Sequence, residues 1–435
     1  MVILYVDKPP WIRENEKYAT DRGKKKTGLL VVEDHGKANG IKIQPTKPYL
    51  KFPTLGDINT SPVGYYKVKP KSSPEVVFSD NTDNPTRYLL PMKSILGGGA
   101  NSQYLRFKVA ARFAVLTNRT LVTTPFFLNG GHEMGFSEEN MRSFESTFDV
   151  NKMEKLLPLA TVDKYVHECN DKRSTVLAWD VHERYEQARE KVFEHLLGIK
   201  VPKLDQVTTW GYDNDFEDVI DDTENETCLV FSIDGKFVFR KGHVKDDIAK
   251  AVDKHLIPTK EVRMVAEYFS DKICKGESYL VYHWRNMSAE MPCYFGKETE
   301  RYKCADVLKE TRKVAEIASD SVVDLLKKEH IKCLYVACPL WSLEIVDILS
   351  KRMPREDIII SGDLDVPDEY KLYFEDYNLL SLVEQEIAYH AAIFISAGMS
   401  NWSDFVKERR DSEGKITFNI RELAGIPKDV DIKII

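Results

Sequence analysis

The fold of this chain is decided by the stretch Gly97-Gly98-Gly99-Ala100-Asn101-Ser102-Gln103. An apolar run, Tyr88–Met92, precedes it, and a helical pattern that ends near Leu116 follows it. A second apolar run starts at Thr120. This order predicts strand, glycine turn, helix and strand, which is one βαβ unit. Three consecutive glycines permit positive φ angles and close approach of a ligand, and the free N–H groups of a helix that begins near Ser102 attract anions.

The helix of this unit carries apolar residues at helical spacing, and we expect them to face the sheet. They are Leu105, Val109, Phe113 and Leu116. The glycine spacing is neither G-x-G-x-x-G nor G-x-x-x-x-G-K-[ST], so a tight strand–helix turn explains the glycines equally well. A nicotinamide oxidoreductase is disfavoured, since the dinucleotide fingerprint is missing and no acidic residue ends the following strand.

The rest of the chain divides into three parts. Residues 1–85 are rich in Lys, Pro and Gly and are predicted to be an N-terminal extension or stem. Residues 86–258 and 259–435 each combine apolar strands with helices, and the boundary is placed near Pro258. Fully apolar strands separated by helices indicate parallel sheets covered on both faces. We therefore predict an α/β fold of two domains with a cleft between them, in which ligands bind at the carboxyl ends of the strands.

Composition excludes several classes of function. The 435 residues carry a net charge of −7, which argues against a nucleic-acid partner. No apolar run approaches the ~20 residues that a membrane span needs, and the first residues are too short an apolar run for a secretory signal. Taken literally, this start predicts a cytoplasmic protein. Five N-x-[ST] triplets, at Asn59, Asn118, Asn225, Asn286 and Asn401, favour a secretory compartment only slightly.

The seven cysteines are sparse and show no C-x-x-C spacing, so a zinc site is not expected. Cys293 and Cys304 flank a short acidic and aromatic loop and are candidates for a disulfide. The odd total leaves at least one thiol unpaired.

Two further stretches carry candidate binding residues. His283 and Arg285 lie two positions apart at the carboxyl end of a predicted strand, where we expect both side chains on the same face. The planar fork of an arginine suits a pyrophosphate, although an arginine that reaches into solvent would fit the pattern as well. Later, a strand, a turn of small residues and a helix follow each other, with Ser400 and Asn401 near the helix N-cap. This is a favourable seat for a phosphate.

These stretches together resemble the GDP-fucose protein O-fucosyltransferase family. The similarity rests on Gly98-Gly99-x-Asn101-x-Gln103 with Asn118–Val122, on the H-x-R element at His283, and on Phe405-Val406-Lys407-Glu408-Arg409-Arg410. The resemblance implies two Rossmann-like domains facing a cleft, the GT-B type of glycosyltransferase architecture. It places the acceptor in residues 86–258 and GDP-fucose in residues 259–435.

The resemblance also implies a reaction, the inverting transfer of fucose from GDP-fucose to a hydroxyl of a protein or glycan acceptor, without a metal. The predicted catalytic residues are Arg285 and Asn101, and the predicted substrate-binding residues are Gly98, Gly99, His283, Glu384, Ser400 and Asn401. In this prediction Arg285 stabilises the departing GDP, and Glu384 accepts hydrogen bonds from guanine. No cofactor besides the donor substrate is implied, and the compartment would be the lumen of the endoplasmic reticulum or Golgi if the chain is trimmed.

Three points stay open at this stage. The catalytic base is His283, Glu290, Asp404 or the β-phosphate itself. The segment Ala337-Cys338-Pro339 departs from the family pattern, so an inactive protein that binds GDP or a glycan is the alternative function. Asp363-Leu364-Asp365 has the D-x-D form of a manganese site, but this form is common by chance in an acidic chain.

Overall fold

Two parallel β-sheets organise the chain in the computed structural model. The structure describes residues 86–92, 99–127, 140–170, 172, 175–178, 189–203, 208–209, 220, 223–232, 246–290, 293, 303–396 and 400–426. All of them belong to one compact unit. The predicted N-terminal extension, residues 1–85, lies outside the described residues.

The first sheet has six strands: β1 Tyr88–Pro91, β2 Thr120–Val122, β5 Leu159–Ala160, β6 Thr175–Ala178, β7 Thr208–Thr209 and β8 Cys228–Ser232. They lie in the order β5-β2-β1-β8-β6-β7, and every described neighbour pair is parallel. A separate antiparallel pair is formed by β3 Phe126–Phe127 and β4 Met141–Arg142.

The second sheet has five strands in the order β11-β10-β9-β12-β13 and is also parallel. Its strands are β9 Tyr279–His283, β10 Cys333–Ala337, β11 Ile358–Ile359, β12 Ile393–Ser396 and β13 Thr417–Asn419. The α/β prediction with parallel sheets is therefore confirmed. None of the described strands crosses the predicted boundary near Pro258, while the division into two domains facing a cleft stays a prediction.

Helices cover both sheets. They are α1 Ala100–Leu116, α2 Val150–Met153, α3 Val162–Cys169, α4 Asp246–His255, α5 Lys260–Lys272, α6 Met287–Ala289, α7 Cys304–Lys328, α8 Glu344–Leu349, α9 Lys371–Glu375, α10 Tyr377–His390, α11 Asn401–Ser412 and α12 Ile420–Leu423. No helix in the described part of the chain has both the length and the apolar character that crossing a membrane requires.

The predicted βαβ unit is confirmed, because β1 and β2 pair in parallel and α1 connects them. The helix begins at Ala100, earlier than expected, and Gly99 is its N-cap residue. Gly99 has φ −65° and ψ 172°, a conformation that any residue adopts, and an added Cβ would meet nothing within 4 Å. The expectation of a positive φ is therefore wrong for Gly99. Gly97 and Gly98 lie outside the described residues.

Helix α1 is buried over more of its surface than an amphipathic pattern predicts. Val109 and Phe113 are buried as expected, but Leu105 and Leu116 are only half-buried. The polar side chains of Lys108 and Arg112 are at most 3% exposed. The reason is that α1 contacts β1 and β2 and also packs against helices α4 and α11, so its second face is also removed from water.

Three hydrophobic clusters follow the alternation of side chains along the strands. On β1, Leu89 lies in a central cluster that also contains Val281 of β9, whereas Leu90 lies in a cluster on the opposite face of the first sheet. On β9, Leu280 lies in a third cluster on the outer face of the second sheet. The central cluster thus joins the inner faces of both sheets into one core.

A buried network of charges crosses this central layer. Asp253 of α4 forms ion pairs with Lys108 Nζ at 3.1 Å and with Arg112 Nη2 at 2.7 Å. Glu408 of α11 pairs with the same two cations at 3.2 and 2.9 Å. Two cations and two anions balance each other, so the buried charges compensate one another across three helices.

The cysteine prediction is confirmed, since Cys293 and Cys304 are joined by a disulfide. Two bridges were not foreseen, Cys169 to Cys228 and Cys274 to Cys333. Cys338 is the free thiol among the described cysteines. Each unforeseen pair is 59 residues apart in the chain, and only the fold brings its members together.

We expect Asp253→Ala to lower the free energy of unfolding by about 3–5 kcal/mol, because it leaves two buried cations with one carboxylate. Asp247→Ala is the matched control, since this carboxylate lies on the same helix but is exposed; its effect should stay within about 0.5 kcal/mol. Urea denaturation of both variants measures the difference. Equal effects would show that the network does not stabilise the fold.

Candidate functional site

Two helices direct their N-termini toward the same side of the molecule. Two contacts join α1 to α11, and the second lies further along both helices than the first. Tyr104 contacts Phe405 at a ring-centroid distance of 6.2 Å, and Arg112 forms an ion pair with Glu408 at 2.9 Å. Lys108 lies between these contacts, with Nζ 4.2 Å from the Phe405 ring centroid. The contacts advance in the same direction along the two helices, so both N-termini, with their positive dipole ends, point toward the same side of the molecule.

Neither helix begins with a side-chain cap. The N-cap residues are Gly99 for α1 and Ser400 for α11, and neither makes a capping bond, whereas Thr161 and Thr259 cap α3 and α5. Ser400 is 2% exposed, and its Oγ makes no hydrogen bond to any described residue. A buried hydroxyl at an uncapped helix N-terminus is a donor that a bound anion would satisfy.

The carboxyl ends of β9 and β12 bring the other predicted residues to this place. The two strands are neighbours, with Ile395 opposite Tyr282, so the chain leaves both strands at the same edge of the sheet. From β9 it continues to Arg285, and from β12 to Ser400. Arg285 and the N-terminus of α11 are thus placed at one edge, as the sequence predicted.

His283 contacts the first turn of α11. Its Nδ1 is hydrogen-bonded to Ser403 Oγ at 2.6 Å, and its ring stacks on Trp402 at 4.2 Å. Burial, and then the nearby Arg285, lower the pKa of His283 to about 3. The imidazole is therefore neutral at physiological pH and a poor base.

Arg285 lies beyond the end of β9, so the two-residue alternation does not extend to it, and it does not share the buried position of His283. Its side chain is 33% exposed, and Nη2 donates to both carboxylate oxygens of Glu290, at 2.7 and 3.0 Å. The guanidinium also lies 6.0 Å from the ring centroid of Trp341. The contact of Trp341 with Arg285 was not predicted from the sequence, because no sequence motif marks Trp341.

Asn101 of α1 is hydrogen-bonded to helix α10, which lies between β11 and β12 in the chain. Its Oδ1 accepts from Gln385 Nε2 at 2.7 Å, and its Nδ2 donates to Ser381 Oγ at 3.3 Å. An amide nitrogen carries two hydrogens, so one donor of Asn101 remains for another partner. The residue lies in the first turn of α1, next to the N-terminus discussed above.

Glu384 lies one residue before Gln385 on α10 and points toward β10. Its Oε1 accepts from the hydroxyl of Tyr335 at 2.9 Å. Burial raises the pKa of Glu384 to about 7, although the hydrogen bonds from Tyr335 and Ser361 oppose this shift. The carboxyl is therefore partly protonated near neutral pH, which sequence reasoning did not foresee.

Comparisons with known proteins identify the family of the chain. The family model described as GDP-fucose protein O-fucosyltransferase matches residues 88–413 of the chain. The chain belongs to the GDP-fucose protein O-fucosyltransferase family. Its membership confirms the predicted resemblance and makes the protein a fucosyltransferase. No curated protein sequence matches the chain.

Solved structures show what the fold is similar to. A crystal structure of POFUT1 in complex with GDP-fucose aligns with a TM-score of 0.50 at 16% identity, over 77% of this chain and 98% of that chain. A crystal structure of the fucosyltransferase NodZ from Bradyrhizobium aligns with a TM-score of 0.40 at 14% identity, over 74% and 93% of the two chains. At these identities, the POFUT1 alignment indicates a shared fold, and the NodZ alignment adds no argument.

Two arginines in the family's motifs serve the fold. Arg119 donates to the carbonyl oxygens of Thr223 and Glu226, and Arg410 donates to the carbonyls at the end of α10 and before β13. The acceptors of Arg410 are Ala388, Tyr389, Ala391, Ala392 and Ile416. Burial lowers the pKa of both arginines to about 10. Both arginines therefore pair their charge with backbone carbonyl oxygens and hold these chain segments together.

The three candidate bases differ in their surroundings. His283 is neutral with a low pKa, and the carboxylate of Glu290 is engaged by Arg285. Asp404 lies in the first turn of α11, and burial together with Glu408 raises its pKa to about 6. Of His283 and Asp404, Asp404 has the pKa better suited to accept a proton near neutrality.

The D-x-D segment has another role in the fold. Asp363 accepts two hydrogen bonds from Arg355 Nη2, at 3.0 and 2.9 Å, and a third from the backbone N–H of Ile360. Within the described ranges, no group of three or more His, Cys, Asp or Glu side chains is placed to hold a metal. A cavity of about 400 Å³ beside β11 is bordered by Asp363 and Asp365, and none of the predicted site residues lines it.

The raised pKa of Glu384 predicts a pH-dependent stability. Between the ordinary value of 4.5 and about 7, the folded protein keeps a proton that the unfolded chain has lost. The free energy of unfolding should therefore fall as the pH rises through this window. Glu384→Gln removes this dependence. Urea denaturation at pH 5 and at pH 8 should therefore show that the free energy of unfolding falls more between these pH values in the wild type than in the variant. Parallel pH curves would contradict the assignment.

Proposed function

We propose that this fucosyltransferase moves fucose from GDP-fucose to a hydroxyl of a protein or glycan acceptor, with inversion at the sugar carbon and without a metal. The observation that carries the proposal is the pair of uncapped N-termini of α1 and α11 on one side of the molecule, together with the buried hydroxyl of Ser400, to which no described residue is hydrogen-bonded. A diphosphate would satisfy both the dipoles and the hydroxyl.

Each site residue has a role in the transfer. Arg285 stabilises the negative charge that develops on the departing GDP, the largest expected contribution when the leaving group is charged. Ser400 and the start of α11 at Asn401 contact the β-phosphate. Asn101 donates its remaining N–H from the start of α1.

The nucleotide base is read by Glu384. An ionised carboxylate accepts from the N1–H and N2–H₂ groups of guanine, and such donors would favour the charged form of Glu384 over the protonated one. Gly98 and Gly99 are assigned to donor binding from the family motif, and His283 contacts the helix that is proposed to hold the phosphate. Asp404, or the β-phosphate itself, accepts the proton of the acceptor hydroxyl.

The reaction requires no cofactor besides the donor. The compartment is the lumen of the secretory pathway, and the three disulfides support this location because such bonds persist in oxidising surroundings. Of the candidate glycosylation sites, Asn286 is 0% exposed and unsuitable, whereas Asn118 and Asn225 are exposed.

Arg285→Ala tests the proposal. It should lower kcat for GDP-fucose on the order of 10²–10³-fold and weaken donor binding less, because the contact tightens as charge builds on the phosphate. Arg285→Lys should recover activity only in part, since an ammonium lacks the two-pronged grip. Arg312→Ala, which removes an exposed arginine, is the control. GDP binding without turnover in the wild type would favour an inactive binding protein instead.

A second prediction concerns the metal. Release of GDP from GDP-fucose should be unchanged in excess EDTA, because Arg285 and the helix N-termini neutralise the leaving phosphate. Asp363→Ala and Asp365→Ala should likewise keep full activity. Loss of activity with EDTA that manganese restores would revive the D-x-D segment as a metal site and overturn this mechanism.

A further inference from the structure

Glu290 is the carboxylate that faces the proposed catalytic arginine. Both of its oxygens accept from the same nitrogen, Nη2 of Arg285, at 2.7 and 3.0 Å. The side chains are 33% and 20% exposed, so the pair lies at the border of the solvent-accessible region. Nη1 makes no hydrogen bond to any described residue and is left for another partner.

The position of Glu290 is fixed by the turn that precedes it. Asn286 is 0% exposed and caps α6, with Oδ1 accepting from the Ala289 N–H at 3.0 Å. Its Nδ2 donates to Thr311 of α7 at 3.0 Å and to Glu344 of α8 at 3.1 Å. Its own N–H donates to Ser342 Oγ at 2.8 Å. The turn between Arg285 and Glu290 is therefore anchored to two helices.

We infer that Glu290 is a positioning residue, which fixes the direction of the Arg285 guanidinium so that its free edge faces the departing diphosphate. The inference rests on the proposed function. A guanidinium on a flexible side chain points in many directions, and a carboxylate held by a rigid turn selects one of them. The ring of Trp341, at 6.0 Å, bounds the guanidinium on another side.

This role has a kinetic signature that a structural role lacks. Glu290→Gln removes a negative charge next to Arg285, so the attraction for a diphosphate is kept or increased. The chemical step, however, needs a donor in the right direction, and a misdirected guanidinium slows it. We therefore expect kcat to fall while GDP binding is not weakened.

The experiment compares Glu290→Gln with the wild-type full-length chain. We expect kcat for GDP-fucose to fall about tenfold, the Kd for GDP from calorimetry to stay equal or decrease, and the melting temperature to stay unchanged, since partly exposed ion pairs add little stability. Glu316→Gln is the matched control, because Glu316 forms an exposed ion pair with Arg312 on α7; it should change neither constant.

The same substitution in an Arg285→Lys background separates the explanations. An ammonium has no planar fork to direct, so Glu290→Gln should then change kcat by less than about twofold. An equal fall in both backgrounds, an unchanged kcat in the single variant, or weaker GDP binding with a lower melting temperature would overturn the inference. A wild type that neither binds GDP nor turns over GDP-fucose would overturn the proposed function, and this role with it.

Discussion

The arrangement of the site depends on the buried charge network of the central layer. Lys108 and Arg112 of α1 share Asp253 of α4 and Glu408 of α11. A charge inside a protein is costly unless its partners are in place, so these helices tolerate little displacement relative to one another. The network lies about two to three turns from the N-termini of α1 and α11, so it restricts how far these two ends can move apart.

Two helix N-termini that point to the same side of the molecule carry like dipole ends, which repel each other in the absence of a compensating charge. Such ends attract anions, which supports the diphosphate site of the proposed function. The buried hydroxyl of Ser400 supports it as well, since no described residue satisfies this hydroxyl. In the proposed function, the bound donor supplies the partners of these groups.

Arginine serves two purposes in this family member, and the partner distinguishes them. Arg119 and Arg410 are fully buried and donate to backbone carbonyls, so they hold chain segments together. Arg285 is partly exposed and bonded to a carboxylate, which leaves charge and donors available at the edge of the second sheet. Sequence motifs contain all three residues, and only burial and hydrogen-bond partners separate the two structural arginines from Arg285, to which the proposed function assigns a catalytic role.

The sequence by itself determined the βαβ unit, the parallel strands and the positions of Arg285 and Ser400 after β9 and β12, because these follow from local periodicity and from chain order. The tertiary structure alone decided that Asn101 bonds to Gln385, that Asp253 pairs with Lys108, and that Cys169 and Cys228 are joined. It also corrected the view of His283, which is buried against Trp402. Such contacts join residues that are far apart in the chain, and burial and electrostatic environment depend on what the whole fold packs around a side chain, which a local pattern does not contain.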